Sequence, residues 1–254
     1  MNKADFMAGA LHVRVYPDES SMGSAAAKET ADKICELLKK QARINIIFAA
    51  APSQIAFLDA LSKDPRIDWT RVNAFHMDEY IGLPDGAPQS FGHFLREHLF
   101  SKVPLASAQY IDAQAADPEA ECRRYQALLE SHPADIVCLG IGENGHLAFN
   151  DPWVADFSDP LPVKVVPLDQ VCRNQQVKEG CFGTPEQVPT HAITLTIPTL
   201  LKAPWMFCIV PFTGKAQAVR NALTGEISEQ CPASILRKKE KSCLYLTSQS
   251  ASLL

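Results

Sequence analysis

"ADIVCLGIGENGHLAFNDP", residues 134–152, opens as an apolar strand, "ADIVCLG" (134–140), and runs into a loop holding three glycines, a histidine and a carboxylate. From Gly140 it matches G-x-G-x-x-G through Gly142 and Gly145, the dinucleotide pattern. That pattern needs a helix to begin at its third glycine, so that free amides hold a pyrophosphate. Here "HLAFNDPW" follows Gly145, and Asn150, Asp151 and Pro152 interrupt any helix. A nucleotide site is therefore not expected. His146 stands five residues before Asp151 in a segment that reads as a loop. Histidine is the side chain best suited to moving protons near neutral pH, and a neighbouring carboxylate can orient its ring. A histidine that only holds a turn is the competing reading.

Working outward, short apolar runs alternate with amphipathic helical patterns. Strands are expected at 11–17, 43–50, 71–76, 134–140, 163–168, 191–197, 205–212 and 242–248. Helices are expected at 24–40, 53–63, 90–100, 118–131 and 215–225. Near-continuous apolar strands separated by helices predict a mainly parallel sheet covered on both faces, an α/β fold. No repeat or composition break divides residues 1–254, so a single domain is expected. The stretches 82–89 and 180–189 read as long loops, which in compact α/β chains often act as lids or binding loops.

Composition narrows the function. Hydrophobic residues make up 46% and charged residues 21%, an ordinary globular balance. No apolar run is long enough for a membrane span, and residues 1–19 lack a secretory signal pattern. A cytoplasmic protein with no membrane partner is the expectation. The eight cysteines form no C-x-x-C pair, so reduced thiols are expected, with neither a disulfide framework nor a zinc site. The net charge of −5 argues against a general nucleic-acid binder. A small anionic substrate stays open, because it responds to local charge. A homo-oligomer stays open too.

Ligands of such sheets bind beyond the carboxyl ends of the strands, so the residues at those ends become candidates. Asp78 and Glu79 follow the strand 71–76, and a carboxylate there could serve as a general base or merely hold a turn. "APSQ" follows the strand 43–50 and opens a helix, whose N-terminal amides suit an anion. Lys215 follows the strand 205–212 and adds a positive charge, or is an ordinary surface lysine.

Taken together, "FHMDEYIGLP" (75–84), "SFGHFLREHLF" (90–100), "GIGENGHLAFNDP" (140–152) and "AITLTIPTLL" (192–201) resemble the glucosamine-6-phosphate deaminase family, whose wider group includes 6-phosphogluconolactonase. "AECRRYQALL" (120–129) and "GKAQAVRNALTG" (214–225) add support. The resemblance implies a modified Rossmann-like, three-layer fold and a sugar-phosphate substrate. It implies ring opening of an amino sugar, isomerisation of aldose to ketose and release of ammonia, with no nicotinamide or other cofactor and no catalytic metal. By position, Asp78 matches the acid that moves the proton between C2 and C1. His146 matches the ring-opening histidine, Asn144 and Asp151 its two supports, and Lys215 a phosphate-binding lysine. The glycines are then expected to let the backbone turn closely around the sugar.

Three positions depart from the family pattern. The phosphate loop, usually Gly-Gly-Thr or a similar small-residue run, reads Ala51-Pro52-Ser53. Proline has no N–H to donate and alanine resists positive φ, so Ser53 is expected to carry that end with weakened phosphate affinity. Deaminases usually place Glu where this chain has Asp151. Their phosphate-binding arginine falls in a segment that reads "VCRNQQVKEG", where Arg173 is the nearest candidate. The expected activity is an amino-sugar phosphate isomerase/deaminase. A lactone hydrolase using His146 without a carbon base, and a catalytically silent sugar-phosphate-binding protein, are the alternatives.

Overall fold

The computed structural model describes residues 4–84, 86–168, 170–178 and 180–254; Asp85, within the loop expected at 82–89, lies outside them. The chain begins with β1 (Asp5–Ala8), β2 (Leu11–Tyr16), α1 (Glu19–Leu38), β3 (Ile44–Phe48) and α2 (Ile55–Ser62). It continues through β4 (Val72–His76), β5 (Asp78–Tyr80), α3 (Phe91–Leu95), β6 (Ser107–Gln109) and α4 (Pro118–Ser131). Then come β7 (Ile136–Leu139), β8 (Val163–Pro167), α5 (Gln170–Lys178), β9 (His191–Leu195) and α6 (Ile197–Lys202). It ends with β10 (Trp205–Val210), α7 (Ala216–Thr224) and β11 (Ser242–Thr247).

Eight strands form the main sheet in the order β1-β2-β11-β10-β7-β3-β4-β6. Every neighbouring pair is parallel except the edge hairpin β1–β2. The period-two alternation of strands sorts the apolar side chains to two faces. Ile46, Phe48, Ile136 and Cys138 pack on one face with α1 and α2. Ile47, Val137 and Leu139 pack on the other with α4, α6 and α7. Helix, sheet and helix thus make three layers, and both faces of the central strands are buried. That burial is why these strands read as unbroken apolar runs.

One part of the expected sheet is arranged otherwise. The strands expected at 163–168 and 191–197 are β8 and β9, but they leave the parallel sheet and pair antiparallel with each other. The strand β5 pairs antiparallel on the other side of β9, completing a small second sheet. An apolar run reports that a strand is buried; it does not choose the partner. The short strands β1, β5 and β6 and the helices α5 and α6 carry too little pattern to be read in advance. α1 starts at Glu19, before the expected helix, because Asp18 caps it with Oδ1 accepting from Ser21 N at 2.8 Å.

The second sheet places the site. The chain leaves the main sheet at Met77, whose carbonyl accepts from Leu195 N at 2.8 Å, and enters β5 one residue later. Asp78 therefore stands where the two sheets meet. β10, β7, β3 and β4 are adjacent and parallel, so their carboxyl ends open along one edge.

Candidate active site

A cavity of about 360 Å³ lies along that edge, near the small end of the roughly 300–1,000 Å³ usual for ligand sites. Four strand ends supply its wall: residues 49–53 after β3, Met77 and Asp78 after β4, the 140–146 loop after β7, and Lys215 after β10. Pro88, Gln89 and Phe91 close one side, and Gln175 and Gln176 of α5 another. Asp78, His146, Ser53 and Lys215, expected from sequence, all meet here. Asn144 and Asp151 stand behind His146. Arg173 does not line the cavity; its Nη2 donates to the carbonyl of Pro185. The helix α5 turns Cys172, Gln175 and Gln176 inward and leaves Arg173 on a flank. Among the described lining residues, Lys215 is the one lysine or arginine, and it is only 5% exposed.

The histidine corner is a closed hydrogen-bond system. Asn144 Nδ2 donates to Asp151 Oδ1 at 2.7 Å. A carboxylate there only accepts, so the amide nitrogen must face it and Asn144 Oδ1 must face His146. Asn144 Oδ1 accepts from the His146 backbone N–H at 3.1 Å and lies 2.8 Å from His146 Nδ1. Asp151 Oδ1 lies 3.0 Å from the same Nδ1. Two acceptors at Nδ1 put the ring proton there, leaving Nε2 of the neutral imidazole as the free base. Asp151 is 0% exposed. Burial alone would raise its pKa, but the His146 hydrogen bond and charge and the Asn144 amide outweigh it and hold the carboxyl below its ordinary value.

Two glycines make this corner, each for a reason visible within the fold itself. A Cβ on Gly142 would fall 2.2 Å from the His146 imidazole, so the ring occupies the space a side chain would need. Gly145 sits at φ +88°, a conformation that side chains resist, and a Cβ there would lie 2.8 Å from Cys231 Sγ. Gly142 and His146 are tied by a backbone bond of 3.0 Å. The fingerprint is thus a tight turn built around the protein's own histidine.

Asp78 is the opposite case. It is 7% exposed. Burial, helped by the charge of neighbouring Glu79, pushes its pKa well above the ordinary carboxylate value. Glu79 is equally buried but fully engaged. Its Oε1 accepts from Tyr80 N and Phe91 N, at 2.9 and 3.1 Å, and its Oε2 from Ser90 Oγ and Gly92 N, both at 2.8 Å. Burial raises the Glu79 pKa, and these bonds offset only part of the rise. Glu79 therefore fastens the start of α3, and the cavity wall beside it, to the strand that carries Asp78. His76, one residue before Met77, is fully buried, accepts from Ile111 N at Nε2, and is pushed down to about 4 by burial. It is a neutral core histidine.

At the other end of the cavity, Ser53 Oγ receives Gln54 Nε2 at 3.0 Å, and the same nitrogen donates to the Ile209 carbonyl at 3.2 Å. A carbonyl only accepts, so the Gln54 amide is fixed with its nitrogen inward. Ser53 must then accept from Gln54, and its own proton is left to donate elsewhere, as an anion would require. No positive-φ turn forms at Ala51, as its side chain leads one to expect. Ala51 is extended at φ −161°, which any residue adopts, and Pro52 occupies the first turn of a 3₁₀ helix over Pro52–Gln54, where proline is favoured.

Sequence reasoning missed Gln175 and Gln176. The signal was available: Cys172, Gln175 and Gln176 are spaced i, i+3, i+4, one inward helix face carrying two amides where apolar side chains are usual. Among the described residues, no group of three or more His, Cys, Asp or Glu side chains is placed to hold a metal ion. No described helix is long and apolar enough to cross a membrane.

Known proteins resemble the chain in both sequence and fold. The family model for glucosamine-6-phosphate isomerases/6-phosphogluconolactonase matches residues 17–150. A glucosamine-6-phosphate deaminase of Bacillus cereus is 33% identical over 218 residues, covering 86% of this chain and 81% of its own. A solved monomeric glucosamine-6-phosphate deaminase superposes with a TM-score of 0.86 at 28% identity, covering 95% of this chain and 99% of its own. The 6-phosphogluconolactonase of Thermotoga maritima shares the fold, with a TM-score of 0.74 at 18% identity over 92% of this chain and 98% of its own. Fold and cavity together define a Rossmann-like α/β enzyme. The chain belongs to the glucosamine-6-phosphate isomerase/6-phosphogluconolactonase family.

Proposed function

We propose that the protein converts an amino-sugar phosphate, glucosamine 6-phosphate or a close relative, to the ketose phosphate and ammonia. The observation that carries this reading is Asp78: a buried carboxylate of raised pKa in the same cavity as a histidine whose Nε2 is a free base. A carbon base is helped by a raised pKa, and burial raises that of Asp78. A lactone hydrolase would use the histidine and leave Asp78 idle.

The chemistry divides between the two groups. His146 Nε2 takes the proton of the anomeric hydroxyl, and the ring oxygen leaves C1 and is protonated, giving the open aldehyde. Asp78 removes the proton from C2 and returns it to C1, while the aldehyde oxygen takes up a proton and the amine gives one up, leaving a hydroxyl at C1 and a ketimine at C2. Water adds at C2 and ammonia departs, so substrate and water become ketose phosphate and ammonia with no redox partner. Asn144 and Asp151 keep the imidazole in its base tautomer and steady its cationic form. Ser53 and Lys215 hold the phosphate. Arg173, bonded to the Pro185 carbonyl, would reach the phosphate only if that bond were given up. The active form would be the protein alone, without cofactor, in the cytoplasm.

The test is to offer phosphorylated and unphosphorylated amino sugars and to measure ammonia and ketose together, with 6-phosphogluconolactone in parallel. Stoichiometric ammonia and ketose support the reading. Lactone hydrolysis without ammonia release overturns it.

A further inference from the structure

The histidine turn is held from outside its own loop. Asn144 and His146 stand on either side of Gly145, and both reach Asp151 Oδ1, at 2.7 and 3.0 Å. Where each side chain points is set by the turn between them, with Gly145 at φ +88°. The loop's own bonds run through Gly142, which accepts from Gly145 N and donates to the His146 carbonyl, both at 3.0 Å. The rest of the grip comes from residues 228–234, far along the chain. Ala233 N donates to the Gly145 carbonyl at 2.8 Å. The three atoms nearest to a Cβ placed on Gly145 are the Sγ, Cα and Cβ of Cys231. Ser234, with no exposure, fixes that segment. Its Oγ accepts from Ser228 N at 3.1 Å and donates to the Ser228 carbonyl at 3.2 Å.

We infer that Cys231 is a positioning residue for His146: packed against Gly145, its side chain holds the turn that brings Asn144 and His146 onto one Asp151 oxygen. Cys231 is buried in the same core cluster as Ile141 and Leu147 of the histidine loop. It does not line the cavity, so it acts through the loop and not on the substrate. Burial pushes its thiol pKa above the ordinary value, so near neutral pH it is an uncharged group whose contribution is its shape. A glycine backbone is freer than any other, so this turn is only as fixed as what packs on it. A smaller side chain at 231 opens space beside Gly145, and a branched one pushes against it. Either change draws Asn144 Oδ1 and Asp151 Oδ1 away from His146 Nδ1. The ring proton is then free to move to Nε2, the nitrogen that must be bare to act as a base.

The inference rests on the proposed activity only for its kinetic arm, so the experiment has two. In the first arm, imidazole ¹⁵N resonances report the His146 tautomer at a pH where the ring is neutral, with the His146 signal assigned by its loss in His146→Gln. The native protein, Cys231→Ser, Cys231→Ala and Cys231→Val are compared, and cooperative thermal unfolding confirms that each is folded. The native ring is expected to carry its proton on Nδ1. Cys231→Ala and Cys231→Val should each move a tenth or more of the population to the Nε2–H form, roughly, and Cys231→Ser, close to cysteine in shape, should restore the native spectrum. In the kinetic arm, ammonia release from glucosamine 6-phosphate is followed for the same proteins. The Ala and Val variants should lose about tenfold in kcat with KM within about twofold of native, as a sub-ångström misplacement of the base would give, and the Ser variant should stay near native. Ala and Val variants that lose only Tm, with the native tautomer, overturn the inference and leave the proposed activity standing. A fall in kcat with the native tautomer overturns it too, because the effect does not then run through the imidazole. A tautomer shift in the Ala and Val variants, with no ammonia released by the native protein, supports the inference and removes the activity.

Discussion

Asp78 and Asp151 are both buried aspartates of the candidate site, and their surroundings push them in opposite directions. Asp78 faces the cavity, with burial and Glu79 raising its pKa. Asp151 has no exposure at all, yet His146 and Asn144 keep its carboxyl below the ordinary value. Burial therefore does not by itself set the role of a carboxylate; the partners decide. An unpaired acid becomes a base with a grip on its proton, and a paired acid becomes a fixed charge that orients a neighbour.

Removing the first aspartate should have the largest effect. Asp78→Asn is expected to lower kcat by roughly 10²–10⁴-fold, the range of general acid–base catalysis, while binding of a non-reacting alditol phosphate changes little. Stability should move the other way. A raised pKa means that the folded protein holds a proton the unfolded chain has released, so stability falls as pH rises from about 3.9 through the raised value. The Tm of Asp78→Asn, taken relative to native, should therefore climb with pH across that window. Ammonia release near the native rate, or a Tm difference that is flat with pH, would break the contrast between the two aspartates.

The paired aspartate should respond more mildly in rate and with the opposite sign in stability. In Asp151→Asn, the Asn144 carbonyl can still accept from His146 Nδ1–H, so the base tautomer survives in part. We expect kcat to fall roughly tenfold to a hundredfold, less than for Asp78→Asn. A lowered pKa stabilises the fold above the unfolded value of about 3.9, and that stability is lost as pH falls through the folded value. Native Tm should thus exceed that of Asp151→Asn at neutral pH, by about 2–4 °C for each kcal/mol at this chain length, and the gap should close in acid. A variant as active and as stable as native would show that Asp151 is not part of the histidine system.

The two aspartates also differ in how far they were legible. The apolar runs of β3, β7 and β10 fix the parallel core, and His146, Asn144 and Asp151 lie within eight consecutive positions after β7, so local spacing reveals them. Asp78 was placed correctly beyond β4, but as a loop residue. Its strand is three residues long and opens with two acids, a pattern that propensity disfavours. The second sheet that pairs with it is assembled from β9 and β8, more than eighty residues away, and no local pattern reports such pairing. Gln176 was missed because its helix buries amides in place of apolar side chains. Arg173 was chosen by charge, and helix phase, which charge does not report, turned it aside.

The contrast extends to the anion end, where effects should fall on KM in place of kcat. Ser53→Ala removes a donor to a phosphate, a charge-assisted bond of about 1.5–3 kcal/mol, and should raise KM for a phosphorylated substrate about 10–100-fold at nearly constant kcat. Gln54→Leu leaves the hydroxyl in place but frees its rotation. It should raise KM only severalfold, and adding it to Ser53→Ala should raise KM no further. Independent, multiplying effects in the double variant would show that Gln54 does not act through Ser53.

The smallest effect is expected at Ala51, where sequence alone predicts the loss of a glycine-like turn. Family loops place glycine there, and glycine is needed only where φ is positive. Ala51 is extended at φ −161°, so its Cβ meets no conformational barrier, and Gly at 51 offers the substrate nothing new. Glycine does loosen the unfolded chain, which costs about 0.4–1 kcal/mol at a position alanine already tolerates. Ala51→Gly should therefore leave KM within about twofold of native and lower Tm by roughly 1–4 °C. Pro52→Ala is its control, because it supplies the one backbone N–H that proline withholds from this helix start. A fall in KM for Pro52→Ala but not for Ala51→Gly would place the whole weakness of the loop in the missing amide. A large fall in KM for Ala51→Gly would mean that the loop adopts a positive-φ turn when the anion binds, and that the extended conformation at Ala51 belongs to the empty site alone.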